Sequence, residues 1–154
     1  MDVREPCRDV DGTEIEGATR ELRGRYGLLL YRMEGNARDT ERLPFALARA
    51  VARDVEAFRP RHVAFDMTDV TDFHGSPVGF LARPCASVRA QGGTVSVVLG
   101  PDHAPWVRRV LEICCVFRGG LATGPFPSVE ALESALAPTT PEREVMAAGK
   151  RGGP

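Results

Sequence analysis

The residues of this chain that could carry chemistry are three histidines, four cysteines, one tryptophan and a serine-proline pair, and their spacing limits what each can do. His62, His74 and His103 stand far apart, with no local acid-histidine offset of the kind that fixes a metal. Cys7, Cys85, Cys114 and Cys115 lack C-x-x-C spacing, and the adjacent pair is poorly placed for an ordinary disulfide or a zinc site. Cys114 and Cys115 are therefore expected as reduced packing residues at a helix end. Trp106, followed by Arg108 and Arg109, could stack on a nucleotide, but a packed tryptophan beside two solvated arginines accounts for the same pattern. Ser76-Pro77 reads as a helix N-cap followed by the favoured first-turn residue. There is no G-x-G-x-x-G after a strand, no G-x-x-x-x-G-K-[ST], no G-x-S-x-G and no H-E-x-x-H. No catalytic residue, metal or cofactor is expected.

The elements that must hold these residues belong to one globular domain, since 154 residues with 43% hydrophobic and 27% charged composition leave no room for a second. A core of this size removes roughly 70% of the unfolded surface from water and needs no disulfide or metal as a staple. Twenty basic residues against 21 acidic ones, for a net charge of -1, lack the one-signed excess of a nucleic-acid or membrane-surface protein. No apolar run approaches the roughly 20 residues of a membrane span, and the N-terminus has no signal-peptide core, so the expected compartment is the cytosol. Lys150 is the sole lysine, a bias towards arginine that suggests a GC-rich bacterial genome.

Residues 1–17 are polar without a period and are expected as a flexible N-terminal arm. Ala18 to Arg23 and Tyr26 to Met33 read as two strands joined at Gly24-Arg25. After a break at Glu34 to Thr40, Leu43, Leu47, Ala50, Val51, Val55 and Phe58 describe one helix face, with Pro44 in the first turn and Pro60 beyond the end. His62 to Thr68 alternates as a buried strand, and Asp69 to Gly75 is a connection. A helix from Ser76 to about Gln91, expected to kink at Pro84, closes at Gly92-Gly93. Thr94 to Leu99 is a strand, and Asp102 can cap a helix that turns Val107, Val110, Leu111, Cys114 and Phe117 to one side. A short strand within Leu121 to Phe126 precedes a helix capped by Ser128, with Val129, Leu132, Ala135 and Leu136 inward. Residues 138–154 form a disordered C-terminal tail. Strands alternating with helices imply an α/β fold with a mixed, mainly parallel sheet of about four to five strands and about four helices.

The stretch Asp66-Met-Thr-Asp-Val-Thr-Asp-Phe-His-Gly-Ser-Pro-Val-Gly-Phe-Leu81 resembles the central motif of STAS domains, the anti-sigma factor antagonist family, D-L-S-x-V-x-F-I-D-S-S-G-L-G-V-L. Asp66, Val70, Gly79 and Leu81 match, and Phe73 keeps an apolar residue in the isoleucine place. Met33-Glu-Gly35 with Thr40 resembles the family's G-E-L-D-x-x-T turn, and Thr94 to Gly100 its next strand. Val110 to Ile113 and Phe126 to Leu132 resemble its C-terminal segments. The resemblance spans residues 18–137 and implies a single STAS-like domain.

What the resemblance implies is binding without catalysis: docking on a GHKL-type anti-sigma factor serine kinase in a partner-switching pathway, with other STAS proteins as further partners. The implied docking surface comprises Gly35 and Asn36, the loop Asp72, Phe73, His74, Gly75, Ser76 and Pro77, and the turn at Gly100. Members that act as switches carry a serine where this chain has Gly75, and an aspartate where it has His74. Ser76, aligned with the second hydroxyl of the motif, is the remaining candidate phosphoacceptor. The alternatives are a non-phosphorylatable STAS scaffold in a signalling assembly, or a small flavodoxin-like enzyme or nucleotide-binding protein.

Overall fold

The computed structural model describes residues 3–36, 43–72 and 85–136. Six strands lie within them, β1 (Val3–Arg8), β2 (Glu14–Arg23), β3 (Leu28–Asn36), β4 (His62–Asp72), β5 (Thr94–Val98) and β6 (Thr123–Phe126). The helices are α1 (Leu43–Phe58), α2 (residues 85–90), α3 (Pro105–Ile113) and α4 (Val129–Leu136). The strands form one sheet in chain order, β1, β2 and β3 antiparallel and β3 to β6 parallel. This is the expected mixed sheet, with six strands where four to five were expected.

Each strand is set by alternation and each helix by its stripe. On one face of the sheet Leu29, Tyr31, Val63, Phe65, Met67 and Val97 are buried against Leu47, Val51 and Val55 of α1, Val88 of α2, and Val107 and Leu111 of α3. The intervening residues Leu28, Leu30, Ala64 and Val98 point to the opposite face and are covered by Val129, Leu132 and Leu136 of α4. Both faces being covered, the central strands bury successive apolar residues, Leu28 to Tyr31 and Val63 to Phe65, rather than alternate ones.

Local chemistry closes the turn between β2 and β3, the end of α2 and the start of α4. The turn between β2 and β3 is a short 3-10 segment, Gly24–Tyr26, closed by Gly27 in the left-handed region at φ 61°. The Gly27 carbonyl then accepts from the Arg61 and His62 amides at 2.9 and 3.1 Å, fastening the hairpin to the start of β4. Past α2, Gly92 adopts φ 79° while the Gly93 amide donates to the Val88 carbonyl at 2.9 Å, a glycine helix end. Ser128 Oγ accepts from the Ala131 amide at 3.0 Å and caps α4.

Several expectations are corrected. Residues 3–8 and 14–17, expected within a flexible arm, are ordered as β1 and the start of β2. Their alternation is hidden in the sequence because, among the residues whose side chains are described, Cys7 and Ile15 alone turn inward between exposed neighbours. The segment is held from α1 as well, where Arg53 donates to the Arg8 and Asp9 carbonyls at 2.8 and 3.0 Å and Arg49 pairs with Asp9 at 2.7 Å. β4 does not stop at Thr68 but continues to Asp72, because the end of β3 remains alongside to pair with it. The N-cap of α3 is Ala104 rather than Asp102, with no side-chain cap, and Pro105 begins the helix. Phe58 is 46% exposed beneath the Arg20 guanidinium, and Ala135 also faces solvent. Cys114 packs against the core as expected, whereas Cys115 is exposed in a left-handed conformation at φ 56°. The kink expected at Pro84 and the tail 138–154 lie outside the described residues.

Candidate functional site

In a sheet with helices on its faces, recognition residues gather at the carboxyl ends of the parallel strands, where rigid strands hand over to loops. At that end β3 and β4 run together to their last residues, Gly35 opposite Val70 and Asn36 opposite Asp72. Three of the residues singled out in the sequence, Gly35, Asn36 and Asp72, therefore lie on adjacent strand ends. Two register shifts interrupt this ladder, between Arg32 and Glu34 and between Gly35 and Asn36. Glu34 stands opposite Asp69, and both are exposed, which gives the rim an acidic border. Phe73, His74, Gly75, Ser76 and Pro77 lie outside the described residues.

Gly100 is reached across the sheet. The backbone ladder between β4 and β5 ends at Asp66 opposite Val98. Two residues further on, the Gly100 amide donates to Thr68 Oγ1 at 2.8 Å, while Thr68 Oγ1 donates to Asp66 Oδ1 at 2.5 Å. The Thr68 amide reaches the same carboxylate oxygen at 3.0 Å. Gly100 is itself buried, so the exposed part of its turn is Pro101 and Asp102. Its carbonyl accepts from the His103 amide at 3.0 Å and lies 2.6 Å from His103 Nδ1, which must carry the proton because a carbonyl can only accept. His103 thus closes the turn.

Behind Asp66 a chain of charges runs over the α4 face. Arg32 lies 3.7 Å from Asp66 and 3.3 Å from Glu21, Arg23 reaches Glu21 at 2.9 Å, and Arg23 also pairs with Glu133 of α4. Asp66, the motif aspartate, is thereby turned inward as a structural group. Asp66 was marked in the sequence by the resemblance, whereas Thr68, Glu21 and Arg32 were not singled out.

The remaining chemical residues sit elsewhere. Burial pushes the Cys7 thiol up to about 12 and the Cys85 thiol up to about 11, which removes both as thiolates at neutral pH. Trp106 packs against the core. Among the described residues no group of three or more His, Cys, Asp and Glu side chains could hold a metal ion, and no helix is long and apolar enough to cross a membrane.

No family model matches the sequence, and no curated protein matches it. Solved structures do. The unphosphorylated form of the anti-sigma factor antagonist SpoIIAA superimposes with a TM-score of 0.63 at 14% identity, over 77% of this chain and 95% of that one. The phosphorylated form of the Bacillus cell fate determinant SpoIIAA does so with a TM-score of 0.57 at 13% identity, over 77% and 98%. The fold is STAS-like. Nearly all of SpoIIAA is spanned, and the STAS-like fold expected from the resemblance is the fold found.

Proposed function

We propose that this chain is a non-catalytic, cytosolic protein-binding regulator that docks on a GHKL-type anti-sigma factor kinase in a partner-switching pathway. The observation that carries the proposal is a fold like that of an anti-sigma factor antagonist, which brings Gly35 and Asn36 opposite Asp72, and the turn at Gly100, to the carboxyl end of its parallel strands. Loops on a rigid sheet can be read by a partner without rearrangement, and no bond need be made or broken by this chain.

The loop from Asp72 to Pro77 is the centre of the docking surface in this reading. Gly75 offers no hydroxyl where switching members of the family carry the phosphoacceptor, which leaves Ser76 as the one serine in the loop. A phosphate there adds a charge of roughly -2 to the surface that the partner contacts in this reading and alters its charge match with that partner. Gly75 also supports a second reading, a STAS scaffold that binds its partner constitutively.

Incubation of the full chain with a GHKL kinase and ATP, read by intact mass and by co-elution, tests both. A complex together with one added phosphate on Ser76 supports the switch, and a complex without phosphate supports the constitutive scaffold. Absence of any complex with the kinases of the source cell contradicts the docking proposal.

A further inference from the structure

Beyond Asp66 and Val98 the two halves of the rim separate. β4 continues beside β3 as far as Asn36 opposite Asp72, whereas β5 turns away after Val98 into the Gly100 turn. If the β4–β5 register ran on by two residues, Thr68 would stand opposite Gly100. That rung exists, but it is made by a side chain, with Thr68 Oγ1 taking the place of a backbone carbonyl for the Gly100 amide at 2.8 Å.

The hydroxyl is engaged as both donor and acceptor. It gives its proton to Asp66 Oδ1 and accepts from Gly100, and Asp66 is itself steadied by the Thr68 amide at 3.0 Å and by Arg32 at 3.7 Å. A hydrogen bond to a carboxylate fixes the rotor of the hydroxyl, so that its lone pair faces the amide. Steric fit enforces the same approach, since a Cβ on residue 100 would lie 2.9 Å from Thr68 Cγ2 and 3.2 Å from Thr68 Oγ1. Only glycine lets the turn come this near.

We propose that Thr68, oriented by Asp66, is the positioning residue of the recognition rim: its hydroxyl sets the spacing between the β3–β4 lobe, with Asn36 and Asp72, and the turn that presents Pro101 and Asp102. This deepens the docking proposal and rests on it for the partner. Thr68 touches no partner itself. Its effect is exerted through the Gly100 amide, and loss of the hydroxyl lets the turn drift from the lobe without unfolding the sheet, whose ladder ends before it.

The test compares the full-length chain with Thr68→Val, which keeps the shape and the methyl group, and Thr68→Ser, which keeps the hydroxyl. Amide exchange measured by NMR on the free protein reads the tie, and calorimetric titration of the GHKL kinase reads its consequence. Thr68→Val is expected to speed exchange at Gly100 about tenfold while β4 and β5 amides from Val63 to Val97 stay protected, and to weaken kinase binding about three- to tenfold. Thr68→Ser is expected to restore both. Unchanged Gly100 exchange in Thr68→Val overturns the tie whatever the partner does. Faster exchange with unchanged affinity shows that the turn lies outside the recognition surface and overturns the positioning role, while leaving docking through the Asp72 to Pro77 loop intact. If the kinase does not bind even the natural chain, the docking proposal fails, and the role of Thr68 in recognition fails with it.

Discussion

Tyr31 on β3 donates its hydroxyl proton to Asp54 of α1 at 2.8 Å, with both residues buried. The other carboxylate oxygen takes the Arg20 guanidinium of β2 at 2.7 Å, and Arg20 reaches on to Glu5 of β1. One carboxylate thus joins α1 directly to two strands, and through Arg20 to a third. Burial, and then the negative charge of Asp54, hold the Tyr31 phenol well above its ordinary value, so it remains a donor at any ordinary pH.

Removing either partner should be costly, to different degrees. Tyr31→Phe deletes a hydrogen bond to a charged group and should cost about 1.5 to 3 kcal/mol. Asp54→Ala leaves the Tyr31 hydroxyl unpaired and Arg20 with Glu5 alone, and should cost about 3 kcal/mol. Urea unfolding followed by circular dichroism measures both, and equal, negligible shifts in midpoint would show that the cluster does not hold α1 to the sheet.

Phe65 lies at the centre of the sheet, fully buried and stacked on Tyr31 with ring centroids 5.6 Å apart. Phe65→Ala should cost about 3 to 5 kcal/mol, the range for emptying an aromatic site in a packed core. A loss below about 1 kcal/mol would mean that the neighbours collapse into the space.

The pattern of apolar residues made much of this fold readable, and its failures have a physical form. The stripe from Leu47 to Val55 announced α1, and Val63, Phe65 and Met67 announced β4. Asp54 was unreadable as a buried group, although a carboxylate between Val51 and Val55 on an inward stripe is the signal that could have revealed it. Asp69 to Asp72 reads locally as a polar connection and becomes strand only because Glu34 to Asn36 supplies the ladder. In the same way Asp66 could be found through its motif, but the use of Thr68 depends on an amide 32 residues away that no local pattern reveals. Tertiary pairing overrides local preference at both places.

His62 gives the stability a pH dependence whose sign can be worked out. Its Nδ1 lies 2.6 Å from Thr94 Oγ1, its Nε2 is buried with no hydrogen-bond partner among the described residues, and burial, with Arg61 beside it, holds the imidazole below its ordinary value. The unfolded chain takes up this proton near pH 6.5, roughly, and the folded chain only at lower pH. The His62 contribution is therefore complete above that pH, falls as the pH drops from there to the folded value, and levels off below it. Between pH 7.5 and 5.5, His62→Gln should lose less of its urea midpoint than the natural chain does, because the carboxylates titrate alike in both. Equal losses would show that His62 protonates as readily folded as unfolded.

Calorimetric titration of the GHKL kinase into the natural chain, Ser76→Ala and Ser76→Glu tests the docking surface most directly, with circular dichroism confirming that all three are folded. The natural chain and Ser76→Ala should bind alike, since the serine hydroxyl is not required for contact. Ser76→Glu should bind about tenfold more weakly, because it adds charge to the surface that the partner covers. If Ser76→Glu binds as tightly as the natural chain, the loop from Asp72 to Pro77 is not where the partner docks, and the proposed antagonist mechanism is contradicted even though the fold stands.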